Sequence, residues 1–231
     1  HLGRAEDVQI RSLTSEQTIL VLAGPKARAV LSAVSRGDWS AKGFPWLSVR
    51  ECFVGIAPAT VMGVSFSGEL AYEIHVPNAS LYAAYLALRA AGKAYGMRSF
   101  GAKAVESMRL EKGYLHWKAD LLTEFDPFET GLDRFVDLNK PRFVGKEALI
   151  QRQQNGPRKR LASLRLDDQT APAHGGASVQ IGDKLIGTVT SGEWGHRIDQ
   201  NLAYAFVDPA YATPNTQVQI DVLGRLIPAT L

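Results

Sequence analysis

Apolar and polar positions recur along this chain with two different periods, and the changes between them mark the elements. Residues 18–22 (TILVL) form an unbroken apolar run ending in Ala23, Gly24 and Pro25, which predicts a buried strand and then a helix opened by Pro25. That helix carries Ala29, Val30, Leu31 and Val34 and should stop near Gly37. A second apolar stretch, residues 53–66, is interrupted by Gly55 and Pro58 and reads as a hairpin. Residues 71–76 (AYEIHV) alternate strictly, setting Tyr72, Ile74 and Val76 on one face of a strand and Glu73 and His75 on the other. Pro77 ends that strand, Asn78 is a suitable N-cap, and Leu81, Tyr85 and Leu88 follow helical spacing towards a stop at Gly92. Residues 101–112 predict another helix, with Val105 and Met108 turned inward. Residues 113–138 have weaker periodicity and are rich in Asp, Glu, Thr and aromatics. Residues 151–160 (QRQQNGPRKR) hold no apolar side chain and read as a linker centred on Asn155, Gly156 and Pro157. Beyond it the period is two. Ala162, Leu164 and Leu166 alternate, Gly182 and Asp183 mark a hairpin turn, and Val218, Ile220 and Val222 alternate again. The expected class is α+β: an α/β layer over residues 1–155, then a small all-β barrel or sandwich over 156–231.

Composition narrows this little. Lys and Arg number 26 against 23 acids, a net charge of +3. The densest basic cluster, Arg158, Lys159 and Arg160 with Arg152 before it, lacks interleaved aromatics, so it reads as a solvated linker and no nucleic-acid partner is expected. No run of about 18 apolar residues exists, so no membrane partner is expected. The N-terminal residues lack an apolar signal region and an initiator Met, which suggests a chain that begins within a longer protein. A lone cysteine, Cys52, rules out a disulfide framework, and the five histidines lack metal-helix spacing, so no metal site is assigned. No G-x-G-x-x-G, P-loop or G-x-S-x-G motif is present, although Ser65 and Ser67 come near the last.

Five ordered segments are more specific. Residues 63–74 (GVSFSGELAYEI) resemble the Y-T-G-E-x-G-x-E segment of the glycine-cleavage T-protein (aminomethyltransferase) family. Residues 107–113 (SMRLEKG) are similar to its S-L-R-L-E-x-G, and 123–132 (TEFDPFETGL) to its D-x-x-T-P-x-E-x-G-L. Residues 143–149 (FVGKEAL) and 187–192 (GTVTSG) match F-x-G-K-E-A-L and G-x-V-T-S-G. Within the family, 138–141 (LNKP) and 194–197 (WGHR) look most like the folate-binding half of dimethylglycine and sarcosine dehydrogenases.

The resemblance implies a ferredoxin-like α/β layer within a three-lobed fold, followed by a C-terminal barrel. It implies tetrahydrofolate as cofactor and one-carbon transfer from an aminomethyl or iminium carbon to give 5,10-methylenetetrahydrofolate. The partners implied are folate, a methylated-amine-derived iminium and an FAD oxidoreductase domain in cis, with FAD bound outside this chain. The compartment would be the cytoplasm, or the mitochondrial matrix in a eukaryote. Glu73 aligns with the family's pterin-binding glutamate, and a carboxylate can accept two parallel N–H bonds from a pterin edge. Glu69 reads as a structural acceptor in a turn. Tyr72, Phe66, His116, Trp117, Trp194 and Arg197 complete the cofactor-binding set, with packed loop positions the alternative for His116. Phe66 stands where relatives carry a tyrosine, and Val105 where the T-protein carries a folate-contacting arginine. Arg109 and Glu111 fit a structural ion pair, and Asp126 and Glu129 a local cap. The family's catalytic aspartate lies upstream of the first matched block, so no catalytic residue is assigned and this piece alone should be inactive. Two alternatives stand beside the enzyme: a non-catalytic folate-binding module in assembly or regulation, and a relative that has lost folate. The iron–sulfur-assembly group carries K-G-C-Y-x-G-Q-E, whose cysteine is missing after Lys112 and Gly113.

Overall fold

The computed structural model describes residues 7–231; the N-terminal stretch and His1 lie outside them. The chain divides into two compact units, one ending at Phe100 and one beginning at Gly101.

In the first unit, β1 (Gln17–Ala23), β2 (Val49–Val54), β3 (Ala57–Met62) and β4 (Ala71–Pro77) form one sheet in the order β1-β4-β3-β2. Every pairing is antiparallel. The hairpin joins β2 to β3 through Gly55, whose φ of 61° suits a tight turn. Helices α1 (Ala27–Val34) and α2 (Leu81–Lys93) lie on one face and close a core with Leu22, Val61, Tyr72, Ile74 and Val76. The alternation in β4 is therefore the alternation of core and surface. Tyr72, Ile74 and Val76 are buried, whereas Glu73 and His75 are half-buried on the opposite face.

Two local expectations change. Asn78 opens a single 3-10 turn and does not cap α2. Its side chain accepts from the Thr18 hydroxyl (2.6 Å) and donates to the Ser15 carbonyl (2.9 Å), fastening the end of β4 to the start of β1. The buried stripe of α2 is Ala84, Leu88 and Gly92, with Tyr85 exposed. The helix ends one residue past Gly92, at Lys93, and Gly92 also makes room for Met97, whose atoms a Cβ there would meet at 2.5–2.7 Å.

In the second unit, α3 (Ala102–Glu111), α4 (Pro127–Thr130) and α5 (Lys146–Asn155) precede six strands. These are β5 (Arg160–Leu166), β6 (Ser178–Ile181), β7 (Lys184–Gly195), β8 (Gln200–Val207), β9 (Gln217–Val222) and β10 (Arg225–Thr230). They close a barrel in the order β10-β5-β8-β7-β6-β9, which leaves no free sheet edge. Leu164, Leu166, Val179, Ile186, Val189, Ala205, Val218 and Ile220 fill it. Small Ala positions opposite branched ones let side chains from facing strands interdigitate.

Two readings of this half are corrected. The inward side of α3 is Ser107, Arg109 and Leu110, with Val105 and Met108 only half-buried, because polar partners on β7 and in the following loop face it. The linker is shorter than its composition suggests. Residues up to Asn155 belong to α5, and two basic residues after it are paired with acids: Arg158 with Glu129 and Lys159 with Asp208. No helix among the described residues is long and apolar enough to cross a membrane.

Candidate functional site

The sequence-derived site residues fall into two groups, one in each unit. In the first, β4 is an interior strand held on both sides, so its outward side chains project from a fixed backbone. Glu73 stands between Val21 of β1 and Met62 of β3, and its side chain is 35% exposed. Two positions on, His75 stands between Ile19 and Thr60, 20% exposed, with Nε2 3.3 Å from Oε2 of Glu73. Ile19, Val21, Val49 and Phe53 are exposed on this unit. A carboxylate that keeps acceptor capacity among apolar neighbours is a good receptor for a flat group with paired N–H donors, because water competes less there.

The segment between β3 and β4 supplies Phe66, 36% exposed. It is held by close packing at Gly63, where a Cβ would lie 3.1 Å from the Phe44 ring, and by the Gly24 amide donating to the Leu70 carbonyl (2.8 Å). The Ser67 hydroxyl accepts from the Glu69 amide at 3.4 Å, within a turn that places Gly68 at φ 75°. Tyr72 is the exception. It is 1% exposed, on the core side of β4, packed against Trp39 and Phe44 with ring centroids 6.4 and 6.0 Å away. The same alternation that turns Glu73 outward turns Tyr72 inward. Its hydroxyl is buried without a hydrogen-bond partner, and burial pushes the phenol above its usual pKa.

In the second unit, His116, Trp117, Trp194 and Arg197 are arranged around α3. The Arg109 side chain is fully buried. It donates through Nη1 to Asp120 (2.6 Å) and the Tyr114 carbonyl (3.1 Å), and through Nε and Nη2 to Glu106 (2.9 and 2.6 Å). Asp120, equally buried, accepts from the His116 amide (2.8 Å) and from the hydroxyls of Thr190 and Ser191 (2.5 Å each). This network fixes the turn that carries His116, half-buried, and Trp117, which is 65% exposed. The far end of α3 fixes the other pair. The Ser107 hydroxyl donates to the Trp194 carbonyl (2.6 Å), and Glu111 accepts the amides of Arg197 (2.7 Å) and Ile198 (3.1 Å). Trp194 is half-buried and Arg197 exposed. Burial pushes the Tyr204 phenol up to about 12, so it remains a donor, here to the Leu110 carbonyl at 3.4 Å.

Arg109 and Glu111 thus hold structure, as do Asp126 and Glu129. Asp126 accepts the amides of Phe128 (2.9 Å) and Glu129 (3.1 Å), while Glu129 accepts the Asp126 amide (3.1 Å), a reciprocal cap on α4. Sequence reasoning did not single out Asp120. Its signal was indirect: two matched motifs, SMRLEKG and GTVTSG, supply the arginine and the hydroxyls that converge on one unclaimed carboxylate.

Comparison with known proteins follows this anatomy. Residues 1–140 match the model of the GCVT N-terminal domain, and residues 159–231 that of the glycine cleavage T-protein C-terminal barrel domain. The chain is 35% identical over 226 residues to mitochondrial dimethylglycine dehydrogenase of Rattus norvegicus, covering 97% of this chain and 26% of that one. It is 33% identical over 204 residues to human mitochondrial sarcosine dehydrogenase, covering 87% and 22%. To the aminomethyltransferase of Thermoanaerobacter pseudethanolicus it is 28% identical, covering 97% and 61%. The crystal structure of the glycine cleavage system aminomethyltransferase T from Bartonella henselae superposes with a TM-score of 0.82 at 25% identity, covering 93% of this chain and 58% of that one. The chain thus spans about a quarter of the length of the dehydrogenases it matches. With both family domains matched in order and the matched barrel domain forming a closed barrel, the chain belongs to the glycine-cleavage T-protein family, as an aminomethyltransferase-like domain related to dimethylglycine and sarcosine dehydrogenases.

Proposed function

We propose that this chain is the tetrahydrofolate-binding portion of a one-carbon transfer enzyme, within a longer protein of the dimethylglycine or sarcosine dehydrogenase type. In this reading an FAD domain in cis oxidises a methylated amine to an iminium, and the carbon passes to tetrahydrofolate as 5,10-methylenetetrahydrofolate. Tetrahydrofolate supplies the nucleophilic nitrogen; this chain holds and orients it. One observation carries the reading. Glu73, at the motif position of the family's pterin-binding glutamate, projects from a central strand with its carboxylate accessible among apolar neighbours.

The residues fit the group. The Glu73 carboxylate matches the amino and ring N–H edge of a pterin, and Phe66 offers an aromatic face where the family's tyrosine would add a hydroxyl. Val105 offers no polar contact where the T-protein has an arginine, which favours the dehydrogenase branch over a free-standing transferase. On the family resemblance alone, His116, Trp117, Trp194 and Arg197 are proposed as folate-contacting positions. We place the protein in the cytoplasm, or in the matrix of a mitochondrion, as for the mitochondrial relatives.

Calorimetry with tetrahydrofolate on the full-length protein tests this. Glu73→Gln keeps the shape and removes the charged acceptor, and should weaken binding roughly 10- to 100-fold, the worth of a charge-assisted hydrogen bond. Unchanged affinity in that variant would remove Glu73 from the site. No binding by the wild-type protein would favour a relative that has lost folate.

A further inference from the structure

We infer that His75 is a positioning residue for Glu73, bonding one lone pair of a carboxylate oxygen so that the plane of the group is set and both oxygens keep acceptor capacity for the ligand; this rests on the folate reading above. Residues i and i+2 of a strand share a face, so His75 and Glu73 are neighbours by the geometry of β4 alone. The imidazole Nε2 lies 3.3 Å from Oε2 of Glu73. Among the described residues no other side chain makes a hydrogen bond or ion pair with that carboxylate, and its cross-strand neighbours, Val21 and Met62, are apolar. Without His75, Glu73 would be a flexible side chain free to rotate on its strand.

With it, one oxygen is tethered and the plane of the carboxylate is restrained. That matters because two parallel N–H bonds demand a particular plane, and a carboxylate that must be ordered on binding loses affinity to side-chain entropy. His75 is suited to the task. It is itself confined between Ile19 and Thr60 on the neighbouring strands, and a proton on Nε2 makes it a donor to Oε2 in either the neutral or the charged ring. The separation is long for a finished hydrogen bond and would shorten as ligand draws the carboxylate into line.

The test is a double-mutant cycle on the full-length protein, read as tetrahydrofolate affinity by calorimetry. His75→Leu should weaken binding roughly three- to ten-fold, and His75→Gln, which restores an N–H donor, should recover most of it. In a Glu73→Leu background, which leaves His75 no acceptor, His75→Leu should add no further loss, because its effect passes through the carboxylate. A ligand-free readout accompanies it: imidazole nitrogen NMR should show the proton of neutral His75 on Nε2, and Glu73→Leu, which removes every acceptor, should abolish that preference. Wild-type affinity in His75→Leu, or an equal loss with and without the Glu73 carboxylate, overturns the assignment. So does a tautomer indifferent to Glu73→Leu. If Glu73→Gln itself binds normally, the folate reading has failed; if it binds weakly while His75→Leu does not, only the role of His75 has.

Discussion

A strand gives successive side chains to opposite faces, and Tyr72 and Glu73 show how much follows from that single fact. The tyrosine packs into an aromatic cluster at 1% exposure with an orphaned hydroxyl; the glutamate reaches the open face. Leaving a buried hydroxyl unpaired costs about 1–3 kcal/mol, so Tyr72→Phe should stabilise the first unit by about 1 kcal/mol and leave tetrahydrofolate affinity unchanged. Urea denaturation and calorimetry check the two halves, and a loss of affinity would return the hydroxyl to the ligand. The outward placement of Glu73 was legible from the alternation, while its role towards folate is the proposal made above. Tyr72 entered the cofactor-binding set by adjacency in the motif, while the alternation already turned it towards the core, where it is buried. Asp120 was illegible for another reason: its meaning lies in Arg109, Thr190 and Ser191, which are distant in sequence, and no local pattern joins them.

At the scale of elements, the amphipathic strands and α1 were legible, since burial of an apolar stripe dominates their energetics. The segments where polar groups do the anchoring were not. The α5 segment has no buried face, so its last turn and the basic tail beyond it looked like a linker. What orders that region is Glu129 on α4. It accepts the Arg158 amide and Nε at 3.0 Å each through one oxygen and Arg158 Nη2 at 3.0 Å through the other. Burial alone would raise the Glu129 pKa, but these bonds, the Asp126 amide and the guanidinium charge outweigh it and hold the carboxyl down at about 2, from an ordinary 4.5. A carboxylate whose pKa is depressed by folding stabilises the fold fully above its unfolded pKa. That stability is lost as pH falls from about 4.5 through about 2. The contribution at neutral pH is at most about 3 kcal/mol. Denaturant titrations at pH 6 and pH 3 should therefore show Glu129→Gln far less stable than wild type at the higher pH, with the gap narrowing at the lower. An equal gap at both would mean that the loss is of packing and not of charge.

For the whole molecule, the two ways of dividing the chain ask different questions. All six barrel strands lie between Arg160 and Thr230, within the β module expected from residue 156 and within the matched C-terminal barrel domain. Compactness nevertheless divides the chain at Phe100, because α3 and the turn after it are fastened to β7 by Ser107, Glu111 and Asp120, and α4 to the start of β5 through Arg158. The residues from 101 to 155 carry the buried Asp120, which accepts from Arg109 and His116 on its own side of residue 156 and from the Thr190 and Ser191 hydroxyls beyond it. Cutting at 156 takes Arg109 and Asp120 away together and leaves the hydroxyls of Thr190, Ser191 and Tyr204 without the acceptors that α3 and its turn supply, at about 1–3 kcal/mol for each buried group left unpaired. The boundary that matters for folding should therefore be the one at 100. Limited trypsin digestion of the folded protein should cut first in the exposed segment around Arg98 and leave a resistant piece beginning near Gly101. A piece made to begin at residue 156 should be soluble only as a loosened barrel, with broad amide resonances and a shallow urea transition. A well-dispersed spectrum from the shorter piece would show that the barrel's interior apolar packing suffices without α3, and that the Arg109–Asp120 network serves the His116 and Trp117 turn alone.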